Sequence, residues 1–205
     1  MFKIAILISG AHGRGSTLLN LANACHDGRI PGADVVCVIG TTSASPAIER
    51  ARETGLETVI VSPKSDDYSD RLLKALTRFQ PDLICLAGYM RRIPAEVLAA
   101  YTHRITNIHP ALLPAFGGQG MYGSHVHQAV YDYGVKVTGC SVHFIDADYD
   151  TGPIILQKTV PVSSGDTPDT IAGRVLVAEH AAYPEAVRLI ADGRVTVDGR
   201  RVVVR

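Results

Sequence analysis

Lys3-Ile4-Ala5-Ile6-Leu7-Ile8-Ser9-Gly10 is the stretch that decides the fold. Its continuous apolar run is typical of a strand that is buried on both faces of a parallel sheet. A glycine-rich segment follows, and the apolar residues after it have the spacing of one helix face: Leu18, Leu19, Leu21 and Ala22. A strand, a glycine-rich turn and a helix in this order predict an α/β fold.

The same alternation of strands and helices continues along the chain. The apolar runs predict further strands at 35–39, 58–61, 82–89 and 104–109, and helices at 46–53 and 66–79. Strands at 137–145 and 153–162 should pair antiparallel at the sheet edge. A helix should begin at Thr167-Pro168 and be kinked or ended by Pro184, and a hairpin should turn at Asp198-Gly199.

These elements predict one α/β domain over residues 1–205. We expect a Rossmann-like fold with a mostly parallel central sheet flanked by helices, antiparallel strands at one edge and a C-terminal hairpin. The chain contains 46% apolar residues, and its 20 Lys+Arg balance its 20 Asp+Glu, without the basic excess of a nucleic-acid-binding protein. This charge balance favours a small ligand. The run from Ile4 to Ile8 is too short for a membrane span, so we expect a cytoplasmic protein.

The four cysteines are far apart in sequence and form no C-x-x-C pair. They are Cys25, Cys37, Cys85 and Cys140. We interpret them as small buried apolar residues rather than as disulfides or metal ligands.

The segment Ser9-Gly10-Ala11-His12-Gly13-Arg14-Gly15-Ser16-Thr17 has the layout of a phosphate-binding loop before a helix. The spacing from Gly10 to Gly15 matches a P-loop, but Ser16 replaces its lysine, which argues against an NTPase. The dinucleotide pattern also fails, because Leu18 stands at its third glycine position. A monophosphate site and a turn that merely connects strand to helix are the readings left open.

Asn107 and His109 lie two residues apart in a predicted strand that ends at Pro110, so they should project from the same face. Asp150 lies in the turn between the two predicted edge strands. An amide can stabilise an oxyanion, an imidazole can transfer a proton, and a nearby carboxylate would favour the charged imidazole. Acyl transfer is one interpretation, and a turn-capping Asn with a surface His and a turn Asp is the other.

Residues 111–123 are predicted to be a long loop, which either covers a site or only connects two elements. His125 and His127 follow this loop. Together with His109 and Asp150 they suggest a zinc hydrolase as an alternative, although the sequence shows no further ligand cluster.

Three blocks in this order resemble the folate-dependent formyltransferases. They are Leu86-Ala87-Gly88-Tyr89-Met90-Arg91, Asn107-Ile108-His109-Pro110-Ala111-Leu112-Leu113-Pro114 and Asp150-Thr151-Gly152-Pro153. The N-terminal glycine loop and Glu179-His180-Ala181-Ala182-Tyr183-Pro184 extend the resemblance over nearly the whole chain. The glycine loop is about two residues longer than the family pattern, and Thr17 replaces its usual Asn.

The resemblance implies that 10-formyltetrahydrofolate donates its formyl group to the amine of phosphoribosylglycinamide, in purine (IMP) biosynthesis. Residues 1–105 would then be the phosphate-binding half and residues 106–205 the catalytic and folate-contacting half. The implied substrate-binding residues are Gly13, Gly15, Ser16, Thr17, Pro110, Gly123 and Glu179. The implied folate-binding residues are Lys64, Met90, Arg91, Arg92, Ile93, Asn107, Asp146 and Asp150.

In the implied mechanism, Asn107 donates to the oxyanion and His109, held protonated by Asp150, is a second donor. Asp150 helps to carry the proton from the attacking nitrogen to the departing folate nitrogen. No metal is required, and the chain should act as a monomer or homodimer. The alternatives are formyltetrahydrofolate hydrolysis, another folate-dependent formyl transfer, and a non-catalytic phosphate-sugar binding module.

Overall fold

The computed structural model of the chain describes residues 1–10 and 14–205. Within these residues there are six α-helices and nine β-strands. In chain order they are β1 (Phe2–Ile8), α1 (Ser16–His26), β2 (Ala33–Gly40), α2 (Pro46–Glu53), β3 (Thr58–Ile60), α3 (Tyr68–Phe79), β4 (Leu83–Leu86), α4 (Ala95–Ala100), β5 (Ile105–His109), α5 (Ser124–Tyr133), β6 (Val137–Phe144), β7 (Ile154–Pro161), α6 (Pro168–Ala191), β8 (Val195–Asp198) and β9 (Arg201–Val204).

Seven of the strands that the structure describes form one sheet in the order β3-β2-β1-β4-β5-β6-β7. β1 pairs parallel with both β2 and β4, and β2 pairs parallel with β3. β6 and β7 pair antiparallel, while β8 and β9 form a separate antiparallel hairpin. The predicted fold class is therefore confirmed, including the antiparallel edge and the C-terminal hairpin.

The chain divides into two compact units, Met1–Thr106 and Asn107–Arg205. In the first unit, β1 and β4 are almost completely buried, as the apolar runs predicted. In the second unit, the core includes Val142 and Phe144 of β6 and the buried face of α6, which contains Tyr183 and Val187. All four cysteines are free, and those at 37, 85 and 140 are buried.

Two helices were not predicted. α4 has only six residues, too few to show a helical period. α5 does show an apolar spacing of four, between the buried residues Val126 and Val130, but one such pair is a short pattern for a helix.

The prediction that Pro184 could end the last helix is wrong. α6 continues through Pro184 to Ala191, and Tyr183, Pro184 and Val187 are all buried. The packing of this face compensates for the helical hydrogen bond that proline cannot make. A capping box at Thr167 fixes the start of the same helix. Among the described residues, no helix has both the length and the apolar character needed to cross a membrane.

Candidate active site

Four polar side chains of the second unit meet in one cluster, which we call the carboxylate cluster: Asn107, His109, His143 and Asp150. Asp150 Oδ2 lies 3.5 Å from His109 Nδ1, and Asp150 Oδ1 lies 3.6 Å from His143 Nε2. Asn107 Nδ2 lies 3.3 Å from the same His143 nitrogen. The expected meeting of Asn107, His109 and Asp150 is therefore observed.

His143 is the member of the cluster that was not predicted from the sequence. Its side chain is completely buried on β6, and it contacts both Asn107 and Asp150. The signal in the sequence was weak, because a histidine in the apolar run 137–145 has the same spacing as a core residue. Only the pairing of strands brings it next to residues that are far away along the chain.

The turn that presents Asp150 has an unusual backbone. Asp150 has a φ of 57°, in the left-handed region that side chains other than glycine seldom adopt. Gly152 lies so close to the Phe144 carbonyl that a Cβ atom would come within 1.9 Å of its oxygen. The glycine of Asp150-Thr151-Gly152 is therefore required by close packing against β6.

A backbone donor from the preceding loop also holds the carboxylate. The Gly118 N–H donates to Asp150 Oδ2 at 3.0 Å. Gly117 lies beside it, and a Cβ there would come within 2.5 Å of the Leu113 side chain and 3.3 Å of Asp150 Cβ. The loop of residues 111–123 thus contributes a contact to the carboxylate cluster.

Hydrogen-bond partners fix which ring nitrogen of each histidine carries a proton. His109 Nε2 lies 2.8 Å from the Phe116 carbonyl oxygen, and His143 Nδ1 lies 2.9 Å from that of Phe144. A carbonyl can only accept, so both of these nitrogens donate. In its neutral form, His109 therefore turns the lone pair of Nδ1 towards Asp150. This nitrogen can receive a proton beside a carboxylate that would stabilise the resulting charge.

Burial dominates the titration of His109, whose side chain is only 3% exposed. It lowers the pKa of His109 below its usual 6.5, and the Asp150 carboxylate and the Phe116 carbonyl, which raise that pKa, do not outweigh it. The direction of this shift is opposite to the one expected if Asp150 kept His109 protonated in the free protein. The physical reason is that desolvation penalises the imidazolium more than one carboxylate favours it.

Asp150 remains ionised. Burial alone would raise its pKa, but the His143 ring, the charge of His109 and the Gly118 N–H together bring the pKa below 3.8. At neutral pH the carboxylate cluster thus combines an anionic acceptor, a neutral ring with a free lone pair, and a primary amide. An amide NH₂ group has two N–H donors, so Asn107 can donate to His143 and to a substrate oxygen at the same time.

The other predicted residues of the second unit lie at several places. Glu179 is on α6, and burial raises the pKa of its carboxyl to about 7. Gly123 immediately precedes α5 with a φ of 53°, and the half-buried Pro110 directly follows β5. Asp146 Oδ1 accepts from Thr151 Oγ1 at 2.6 Å and from the Asp148 N–H, so this oxygen is used within the turn.

The two histidines of α5 differ in environment. His125 is exposed, and its Nδ1 lies 3.4 Å from the Gly120 carbonyl oxygen. His127 is buried, which lowers its pKa, and His109 lowers it further. Within residues 1–10 and 14–205, no three His, Cys, Asp or Glu side chains are arranged to hold a metal ion. The zinc hydrolase alternative thus has no ligand set in this part of the chain.

In the first unit, the end of the glycine loop leads directly into α1. Gly15 caps the helix with a φ of 73°, and a Cβ there would come within 3.0 Å of the Ala47 side chain. Ser16 and Thr17 form the first turn of α1, where the positive end of the helix dipole favours an anion. Gly13, the remaining predicted phosphate ligand, lies outside the described residues.

The predicted folate-binding segment follows β4 in the same unit. Ser9 Oγ accepts from the Met90 N–H at 2.7 Å, so the ends of β1 and β4 meet as expected for a parallel sheet. Met90, Arg91 and Arg92 have exposed side chains, whereas Ile93 is buried. Lys64 is exposed in the loop before α3.

Tyr89 directly precedes this segment and was not among the predicted folate-binding residues. Its side chain is buried, and its hydroxyl is hydrogen-bonded to that of Tyr68.

The class of protein follows from this fold and site together with the family comparison. The formyl transferase family matches residues 2–187, and the chain belongs to that family. The resemblance inferred from Asn107-Ile108-His109-Pro110 is thereby confirmed.

Individual relatives carry a more specific name. Phosphoribosylglycinamide formyltransferase of Escherichia coli K12 is 36% identical over 211 residues, which cover 98% of this chain and 95% of that protein. The chloroplastic enzyme of the same name from Arabidopsis thaliana is 41% identical over 199 residues, and these cover 94% of this chain. The match spans 66% of that plant relative's length, slightly less than two thirds.

A solved structure agrees with these relatives. Glycinamide ribonucleotide transformylase 1 from Symbiobacterium toebii superposes with a TM-score of 0.90 at 42% sequence identity. The match covers 100% of this chain and 94% of that one.

Proposed function

We propose that this chain transfers the formyl group of 10-formyltetrahydrofolate to the amine of phosphoribosylglycinamide, giving the formylglycinamide ribonucleotide and tetrahydrofolate. One observation carries the proposal: the two oxygens of the half-buried Asp150 carboxylate each face a different histidine, and the amide of Asn107 lies beside them. This arrangement suits a reaction in which an oxyanion forms and a proton is transferred at the same centre.

The chemistry can be assigned to side chains of the carboxylate cluster. The substrate amine attacks the formyl carbon, a new C–N bond forms, and the carbonyl oxygen becomes an oxyanion. Asn107 donates an N–H to this oxygen. The proton lost by the attacking nitrogen passes to the pair formed by His109 Nδ1 and Asp150, and then to the folate nitrogen as its bond to the formyl carbon breaks.

Further residues would bind the two substrates. Gly15, Ser16 and Thr17 would contact the substrate phosphate, with Gly13 from the preceding part of the loop. The Glu179 carboxyl would bind the ribose hydroxyls, and Pro110 and Gly123 would lie near the substrate. The folate contacts would come from Lys64, Met90, Arg91, Arg92 and Ile93, with Asn107, Asp146 and Asp150 completing them. We infer that the reaction requires no metal. The chain would act in the cytoplasm as a monomer or homodimer. Its partners would be small molecules, without nucleic acid or membrane.

A formyl-transfer assay tests the proposal directly. The purified chain is given 10-formyltetrahydrofolate with and without phosphoribosylglycinamide, and tetrahydrofolate, formate and the formylated ribonucleotide are all measured. We expect formylated product only when the amine substrate is present, at a rate that a chelator does not change. Formate release without that substrate would instead show a hydrolase. Loss of activity with a chelator would show a metal-dependent reaction.

A further inference from the structure

The C-terminal hairpin of β8 and β9 lies beyond the residues that match the formyl transferase family. Its two strands pair in register from Val195 with Val204 to Asp198 with Arg201. Gly199, with a φ of 58°, and Arg200 form the tip. The hairpin is therefore a defined element of the second unit.

The tip contacts the turn that carries the catalytic carboxylate. Arg200 Nη2 donates to the Thr151 carbonyl oxygen at 2.7 Å, across 49 residues of sequence. Thr151 is the residue directly after Asp150. A hydrogen bond from a charged guanidinium is shorter and stronger than one between neutral groups, so this contact can restrain the peptide that it meets.

Several contacts restrain this turn. The left-handed backbone of Asp150 is uncommon for a residue other than glycine, although Asp adopts it more readily than most, and surrounding contacts help to hold it. The Thr151 hydroxyl bonds to Asp146 inside the turn, and the Gly118 N–H holds the carboxylate from the preceding loop. Arg200 adds a hydrogen bond to the carbonyl oxygen of Thr151. Because Asp150 faces the two histidines at 3.5 and 3.6 Å, a small shift of the turn would separate them.

We propose that Arg200 is a positioning residue: by holding the Thr151 carbonyl, the hairpin tip keeps the Asp150 carboxylate between His109 and His143. The inference rests on the proposed function, because it takes Asp150 to be the proton-carrying group. Arg200 itself acts only through the turn.

The kinetic test compares Arg200→Ala, Arg200→Lys and Arg201→Ala. Arg201 is the neighbouring exposed arginine of the same hairpin and is the matched control. We expect Arg200→Ala to lower kcat about 10-fold with little change in KM, because small misplacements of a catalytic group act on the rate. Lysine, which keeps a charged donor, should restore part of the rate, and Arg201→Ala should stay within about twofold of the unaltered protein.

A second measurement does not depend on activity. Hydrogen–deuterium exchange is followed in the peptide that contains residues 146–152, with the denaturation midpoint of each variant as a check on the global fold. Exchange in this peptide should be faster in Arg200→Ala and unchanged in Arg201→Ala, at equal midpoints. Unchanged exchange together with unchanged kcat in Arg200→Ala would overturn the inference. Absence of formyl transfer in the unaltered protein would refute the proposed function, and the exchange experiment would still decide whether the hairpin holds the turn.

Discussion

Two polar clusters in the second unit share strand β6 but are built differently. Ser141 and His143 lie two residues apart on this strand, so their side chains project from the same face, and both are completely buried. Ser141 Oγ donates to the Ala111 carbonyl at 2.7 Å and accepts from the Leu113 N–H at 3.0 Å and from Gln157 Nε2 at 2.8 Å. We call these groups the serine network.

The two clusters differ in charge and in the distances between their side chains. The serine network contains no charge, and each of its named bonds is 3.0 Å or shorter. The carboxylate cluster contains a charge and two histidines, and its side chains face each other at 3.3–3.6 Å. Buried polar groups whose hydrogen bonds are made stabilise a fold, whereas clusters of titratable groups with shifted pKa values are typical of functional sites. The serine network should therefore govern stability and the carboxylate cluster the rate.

The largest expected effect is that of Asp150→Asn. An amide cannot stabilise an imidazolium or accept the transferred proton, so kcat should fall on the order of 10³-fold or more, while the fold stays intact. The measurements are steady-state formyl transfer and a thermal melt. Asp148→Asn, an exposed residue of the same turn, is the matched control and should keep its rate. Retained activity of Asp150→Asn with the same pH profile would remove Asp150 from the proton path.

The next effect in size is that of Asn107→Ala. Loss of one oxyanion donor should lower kcat on the order of 10²-fold with little change in KM, because the interaction strengthens only in the transition state. Initial rates over a range of both substrates separate the two parameters. A rise in KM at constant kcat would make Asn107 a ground-state binding residue instead.

Sequence alone predicted most of this arrangement, and the exceptions have physical reasons. The strands were predicted because continuous apolar runs mark burial on both faces, and Asn107 and His109 were paired by the alternation of side chains along β5. His143 was missed because a buried functional histidine looks like a core residue in sequence. The contact of Arg200 with Thr151 depends on where a hairpin tip lies, which local patterns do not encode.

The protonation state of His109 was the least predictable feature. Sequence shows that a carboxylate follows in a nearby turn, but it does not show how much water the imidazole loses. Likewise, Pro184 signals a helix end by its local chemistry, and the buried face of α6 overrides that signal.

Ser141→Ala tests whether the serine network governs stability. Removing the hydroxyl leaves the buried Leu113 N–H and the Ala111 carbonyl without their partner, which should lower the free energy of unfolding by about 1–3 kcal/mol. Urea denaturation measures this change, and kcat at low temperature should be almost unaffected. Ser164→Ala, at an exposed turn serine, is the control and should be neutral. A large loss of kcat without a loss of stability would show that the two clusters are not functionally separate.

The smallest expected effect is the pH dependence of the rate, and it tests which form of His109 works. Within the described part of the chain, the charged and titratable groups that face this ring are Asp150, His143 and His127. Because burial lowers the pKa of His109 below 6.5, the ring is neutral above that pH and Nδ1 can take a proton from the attacking amine. As the pH falls through the lowered pKa, the ring becomes protonated and kcat should fall. The rate should therefore be nearly constant between pH 7 and 8 and decrease only below about pH 6.5, the usual histidine value. A rate that instead decreases from pH 6 to pH 8 would mean that the protonated ring donates to the oxyanion, and that the substrates raise the pKa of His109 when they bind.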